Sequence, residues 1–173
     1  RINRINGLHG HIHLRPQLRS KKVRDPPKVL VRRLVGDGIH DSDELLEIPE
    51  SWLEGLDIES ADENNFQGDP WKLDQTIASK DGVITQSVTL ASEAVLLGVP
   101  TLLISKAERG FLQRLVEEGY PLFIAKEHDE ALLVAWLAGL GISHVLLELF
   151  TRAYYGKEYS DISYRIHQMR ETL

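Results

Sequence analysis

Between residues 82 and 125 the chain alternates short apolar runs with amphipathic stretches. Residues 82–86 (GVITQ) read as a strand, and residues 87–97 place Leu90, Ala91, Ala94, Val95 and Leu97 at helical spacing before Gly98. Residues 100–105 (PTLLIS) read as a second buried strand. Residues 108–118 read as a helix carrying Phe111, Leu112, Leu115 and Val116, closed by Gly119, and residues 121–125 (PLFIA) as a third strand. Strand, helix, strand, helix, strand at this spacing predicts a parallel sheet with right-handed crossovers.

Upstream, residues 28–35 (KVLVRRLV) are apolar and β-branched apart from two arginines, and predict a strand running into the Gly36-Asp37-Gly38 turn. Residues 41–69 are acidic and weakly patterned, with a short element expected at 48–56. Asp69 and Pro70 fit the cap and first turn of a helix whose apolar positions are Trp71, Leu73 and Ile77. Downstream only helices are expected: an apolar one over 129–140, a second over 143–155, and an amphipathic one over 161–173. The pattern as a whole predicts an α/β, Rossmann-like parallel sheet with flanking helices and a helical C-terminal tail.

Composition narrows the classes. A chain of 173 residues suits one domain with a real core, and 42% hydrophobic with 27% charged residues is ordinary for a globular protein. A net charge of −6 argues against an electrostatic nucleic-acid binder. The positive charge is nevertheless concentrated: residues 1–33 hold ten Lys and Arg, among them Arg32 and Arg33, against Asp25 alone. The absence of cysteine excludes disulfides and thiolate chemistry. No apolar run approaches the roughly 18 residues of a membrane span, and the start has no signal-type apolar run, so a cytoplasmic protein is expected. The chain opens without a methionine and reads as a fragment or processed form.

Ligands of open α/β sheets bind beyond the carboxyl ends of strands, against helix N-termini. The junction Thr85-Gln86-Ser87-Val88-Thr89 is such a place. Its hydroxyls and first-turn amides suit a diphosphate, and Glu93, in the second turn, suits the two hydroxyls of a ribose. From composition alone the commoner reading of the same residues is a capping Ser87 or Thr89 with a solvated Glu93.

The run from Thr85 to Pro100 (TQSVTLASEAVLLGVP) resembles the C-domain signature of the GT-B superfamily, as in UDP-N-acetylglucosamine 2-epimerases and related transferases. That resemblance implies diphosphate contacts at Ser87, Val88 and Thr89 and a ribose contact at Glu93. The family's usual Gly-Gly pair is here Val88-Thr89, and a β-branched residue holds backbone and phosphate further apart. Residues 29–41 (VLVRRLVGDGIHD) resemble the first C-domain strand and turn of an uncharacterised GT-B-like group, the DUF354 family. Residues 7–16 are similar to its interdomain segment and residues 155–169 to its closing helix. The group's longer insert between Asp41 and Ile48 is short or absent. The resemblance implies an interdomain connector over 1–27, a Rossmann-like nucleotide-sugar domain over 28–140 and C-terminal helices over 141–173. The activity implied is that of one half of a glycosyltransferase or nucleotide-diphosphate-sugar epimerase, acting on a UDP-linked donor with a partner N-terminal domain and no cofactor.

On this reading Asp37 and His40 are the catalytic candidates at the end of the first strand, and Arg32 joins the substrate-binding set. His40-Asp41 is also readable as a turn. Arg32 and Arg33 alternate on a strand, so only one faces the ligand side. Other signals compete. His9, His11 and His13 share one side of an extended segment and can chelate a metal, the basis of a hydrolase reading, although no acidic ligand accompanies them and no metal site is assigned. Trp71 and Trp136 read as core residues, and Trp52 falls in no pattern. The apolar surface over 129–155 exceeds one buried stripe and suits the sheet, the partner domain or a homodimer. A non-catalytic binding or assembly module on the same fold is the alternative to the enzyme reading.

Overall fold

The structure, a computed structural model, describes residues 14, 24–34, 46–62 and 66–141. Strands β1 (Lys28–Arg32), β2 (Asp57–Ser60), β3 (Gly82–Thr85), β4 (Thr101–Ile104) and β5 (Leu122–Ala125) pair in parallel throughout, in the spatial order β2-β1-β3-β4-β5. Helices α1 (Leu73–Ala78), α2 (Val88–Leu96), α3 (Gly110–Glu117) and α4 (Glu130–Gly139) flank the sheet. This is the Rossmann-like α/β arrangement that the alternating blocks predict.

β3 and β4 are buried at every position, because a central parallel strand is covered on both faces and must be apolar on both. The period of two divides each strand between two cores. On one face Leu30, Val83 and Leu103 meet Ile77 of α1, Leu90 and Ala94 of α2, and Leu112 and Leu115 of α3; Leu14 is buried in the same cluster. On the other face Val29, Val31, Ile84, Leu102 and Ile104 meet Ile48 and Trp52, and Leu133, Trp136 and Leu137 of α4.

The structure departs from the sequence pattern at identifiable places. β1 stops at Arg32 rather than Val35, because side chains capture the next backbone donors: Arg33 N donates to Asp62 Oδ1 (2.7 Å) and Leu34 N to Gln86 Oε1 (2.7 Å). The element expected over 48–56 is a 3₁₀ turn, Glu50–Trp52, which buries Trp52 in the α4-side core. β2 (DIES) gave no strand signal because it is the sheet edge, where charged residues are tolerated and desirable. Trp136 is fully buried, as expected, but Trp71 is 94% exposed, correcting its reading as a core residue. Trp71 belongs to a 3₁₀ turn, Pro70–Lys72, capped by Asp69. Even at the helical spacing of about 100° per residue, Trp71 stands on the opposite side from Leu73 and Ile77, which pack toward the core. The turn at 36–38, the helices expected over 143–155 and 161–173, and the homodimer surface beyond residue 141 lie outside the described residues. No helix among the described residues is long and apolar enough to cross a membrane.

The amino edge of the sheet is held by ion pairs. Asp81, buried, accepts Lys28 N (2.9 Å) and Arg24 Nη1 (3.1 Å). Lys80, also buried, donates to Glu59 Oε2 at 2.6 Å, and Lys28 Nζ lies 3.4 Å from the same oxygen. The Lys80 hydrogen bond lowers the Glu59 pKa below the ordinary carboxylate value, against partial burial, which raises it. A carboxyl depressed in the folded state adds stability above its unfolded pKa and loses it as pH falls through the folded value. Glu59→Gln should therefore lower the melting temperature near neutral pH, and the deficit relative to the unmutated chain should close as pH drops below the ordinary carboxylate range. Thermal melts across pH check this.

Candidate functional site

The chain leaves β1 and β3, neighbours in the sheet, toward opposite faces. The β1–β2 connection crosses the face that holds Ile48 and Trp52, whereas α2 carries β3 onward across the other face. A crevice at the carboxyl ends of two strands that diverge in this way is the general ligand position of doubly wound sheets, and in this strand order it falls between β1 and β3.

Arg32 ends β1, half-buried and in register with Thr85, which ends β3. Arg33 is committed elsewhere, its Nη2 lying 2.9 Å from Glu50 Oε1 and its Nη1 3.8 Å from Asp62 Oδ2. Thr85 is fully buried, and its Oγ1 accepts the Ser87 amide at 2.9 Å, which turns the chain from strand to helix. Ser87 is the N-cap of α2, its Oγ accepting Leu90 N at 3.3 Å. The capping reading of Ser87 thus holds whether or not a ligand binds. Val88 turns its side chain onto the α2-side core. The amides of Val88 and Thr89 donate to no group among the described residues, as first-turn amides of a helix do.

Glu93 is half-buried in the second turn of α2, about 9 Å along the axis from the cap at 1.5 Å per residue. It shares a side of the helix with Thr89, which is exposed. The fold therefore brings Arg32, Ser87, Val88 and Thr89 to one edge and sets Glu93 a turn behind. Asp37 and His40 lie outside the described residues, as do His9, His11 and His13. Among the described residues there is no group of three or more His, Asp or Glu side chains suited to a metal.

A second concavity, a cleft of 310 Å³, opens on the same carboxyl edge beyond β4 and β5. Ala107, Leu112 and Ile124 form its apolar part, with Glu108, Arg109 and Lys126 at its rim. Lys126 Nζ holds Glu108 Oε1 at 2.6 Å, and that hydrogen bond lowers the Glu108 pKa. Sequence reasoning did not find this cleft, because its residues come from the loop after β4, the first turn of α3 and the end of β5, with no motif spacing. Gln86 was also missed as an individual: it read as the polar end of a strand, yet it is buried and bonded at both ends of its amide.

No protein-family model, no curated protein and no solved structure matches the chain.

Proposed function

We propose that this chain is the nucleotide-diphosphate-sugar-binding half of a cytoplasmic GT-B-like glycosyltransferase or sugar epimerase, with a UDP-linked donor held at the β1–β3 switch point. The observation that carries the reading is the junction itself. The first-turn amides of Val88 and Thr89 in α2, which donate to no group among the described residues, lie beside the Ser87 cap on the carboxyl edge where Arg32 ends the neighbouring strand. Such a helix N-terminus favours a diphosphate through its unpaired donors and dipole, and an arginine beside it adds a charged partner. The turned-in side chain of Val88 is compatible with this reading, since it leaves the amide at the helix mouth. The chemistry asked of these groups is electrostatic: they would stabilise negative charge on a leaving diphosphate. Glu93 would hold the ribose, and Asp37 and His40 would act from the β1 side. The resemblance of residues 85–100 to the GT-B signature selects the nucleotide-sugar class from the many ligands that this fold accommodates.

Isothermal titration of UDP, GDP and UDP-N-acetylglucosamine into the chain tests the reading. Saturable binding of a uridine nucleotide is expected. Binding of GDP in preference would correct the base, and no binding by a folded sample would remove the donor-site reading from this half alone.

The second reading is a non-catalytic binding module on the same fold, favoured by the exposed Trp71, a side-chain type enriched in protein interfaces. Light scattering separates the two. A monodisperse monomer that binds nucleotide supports the enzyme half, and a defined oligomer without nucleotide affinity supports the module.

A further inference from the structure

The chain between β1 and the 3₁₀ turn that buries Trp52 begins and ends on one side chain. Gln86 Oε1 accepts Leu34 N at 2.7 Å, and Gln86 Nε2 donates to Leu46 O at 2.5 Å. The main-chain amide of Gln86 adds a bond to Arg32 O at 3.2 Å. The residue is 8% exposed, so these bonds form out of bulk water, where an unmade bond is costly. The two partners also determine the orientation of the amide. A backbone N–H must face its oxygen and a backbone carbonyl its nitrogen, so neither a hydrocarbon nor a carboxylate reproduces both bonds.

We propose that Gln86 is the positioning residue of the switch point. Its neutral carboxamide fastens both flanks of residues 35–45 to the β3–α2 junction, one residue before the Ser87 cap. A side chain that joins the exit of β1, the return at Leu46 and the entry to α2 holds the two walls of the crevice at one separation. It touches no ligand in this role and acts through the backbone at Leu34 and Leu46. Where a nucleotide diphosphate occupies the crevice, which rests on the functional reading above, affinity depends on the same amide.

The test compares Gln86→Leu and Gln86→Glu with the unmutated chain by amide hydrogen exchange, with UDP titration alongside. In Gln86→Leu the protection of the Leu34 amide should fall on the order of tenfold or more, the equivalent of one buried hydrogen bond. The Leu137 amide in α4 should keep its protection. Gln86→Glu supplies a readout that a purely structural role does not move. Its carboxylate could still accept Leu34 N, but it repels the Leu46 carbonyl and is costly to bury, so the ionised side chain turns out to solvent, whereas the protonated acid donates to Leu46 O and accepts from Leu34 N. Protection at Leu34 should therefore be lost at pH 8 and return on acidification, with a midpoint above the ordinary glutamate value of about 4.3 because of burial. UDP affinity in this variant should follow the same profile. Unchanged Leu34 protection in Gln86→Leu, or a loss in Gln86→Glu that does not respond to pH, would overturn the proposal. A titrating Leu34 with pH-independent UDP affinity would overturn the link to the ligand. Failure of the unmutated chain to take UDP would count against the nucleotide reading alone, since Leu34 still reports on Gln86.

Discussion

Trp136→Ala is expected to cost about 3–5 kcal/mol of folding stability, the range for removing a large buried aromatic side chain. Trp136 is fully buried in the core between α4 and the sheet, and its Nε1 donates to Pro100 O at 3.1 Å. Pro100 O keeps a second donor, Val83 N at 3.0 Å, so the expected loss is mainly one of packing. For a chain of this length the change corresponds to a fall in melting temperature on the order of 10 °C. The glycine opposite is part of the same contact. A Cβ at Gly82 would stand 2.7 Å from Trp136 Cζ2 and 2.7 Å from Leu140 Cδ2, too close without movement of those side chains. Gly82→Ala should destabilise the unmutated chain by about 1–3 kcal/mol through overpacking. It should cost less in a Trp136→Ala background, where one of the two close contacts is gone and Leu140 has room to shift. Denaturant midpoints of the two single variants and the double variant measure this coupling. Additive costs would show that α4 does not dock against the start of β3 as described.

The second large effect falls on binding. Glu93→Ala should weaken UDP by roughly ten- to a hundredfold, the value of charge-assisted hydrogen bonds to the ribose hydroxyls. Stability should fall by no more than about 1 kcal/mol, because the buried face of α2 is made by Leu90, Ala91, Ala94 and Val95 and Glu93 lies on its flank. Unchanged affinity in a protein that binds UDP would remove Glu93 from the site.

The parts of the fold legible in the sequence are those where one physical demand dominates. β3 and β4 lie at the centre of a parallel sheet, so burial on both faces writes an unbroken apolar run. The N-caps Asp69 and Ser87 were readable for a similar reason, since an oxygen-bearing side chain before an apolar periodic segment satisfies first-turn amides. β2 was not readable. At the sheet edge, Asp57 and Glu59 meet solvent and lysine rather than a core, and the alternation that marks a strand disappears. Trp71 misled because residue type was weighed without turn geometry, and Trp52 gave no signal because it is buried by a single 3₁₀ turn. The site divides in the same way. The β3–α2 junction is local, and its motif is visible over a few residues. Its apposition to Arg32, and the bridging of Leu34 and Leu46 by Gln86, depend on strand order and cannot be read from neighbours along the chain.

The most direct test of the nucleotide-site account is backbone amide NMR of the chain during titration with UDP. Progressive shifts are expected at the amides of Val88 and Thr89, accompanied by Arg32 and Glu93, with one affinity for all four. Shifts confined to Gly110, Gln113 and Lys126 around the other cleft, or no shift at millimolar UDP, would contradict it.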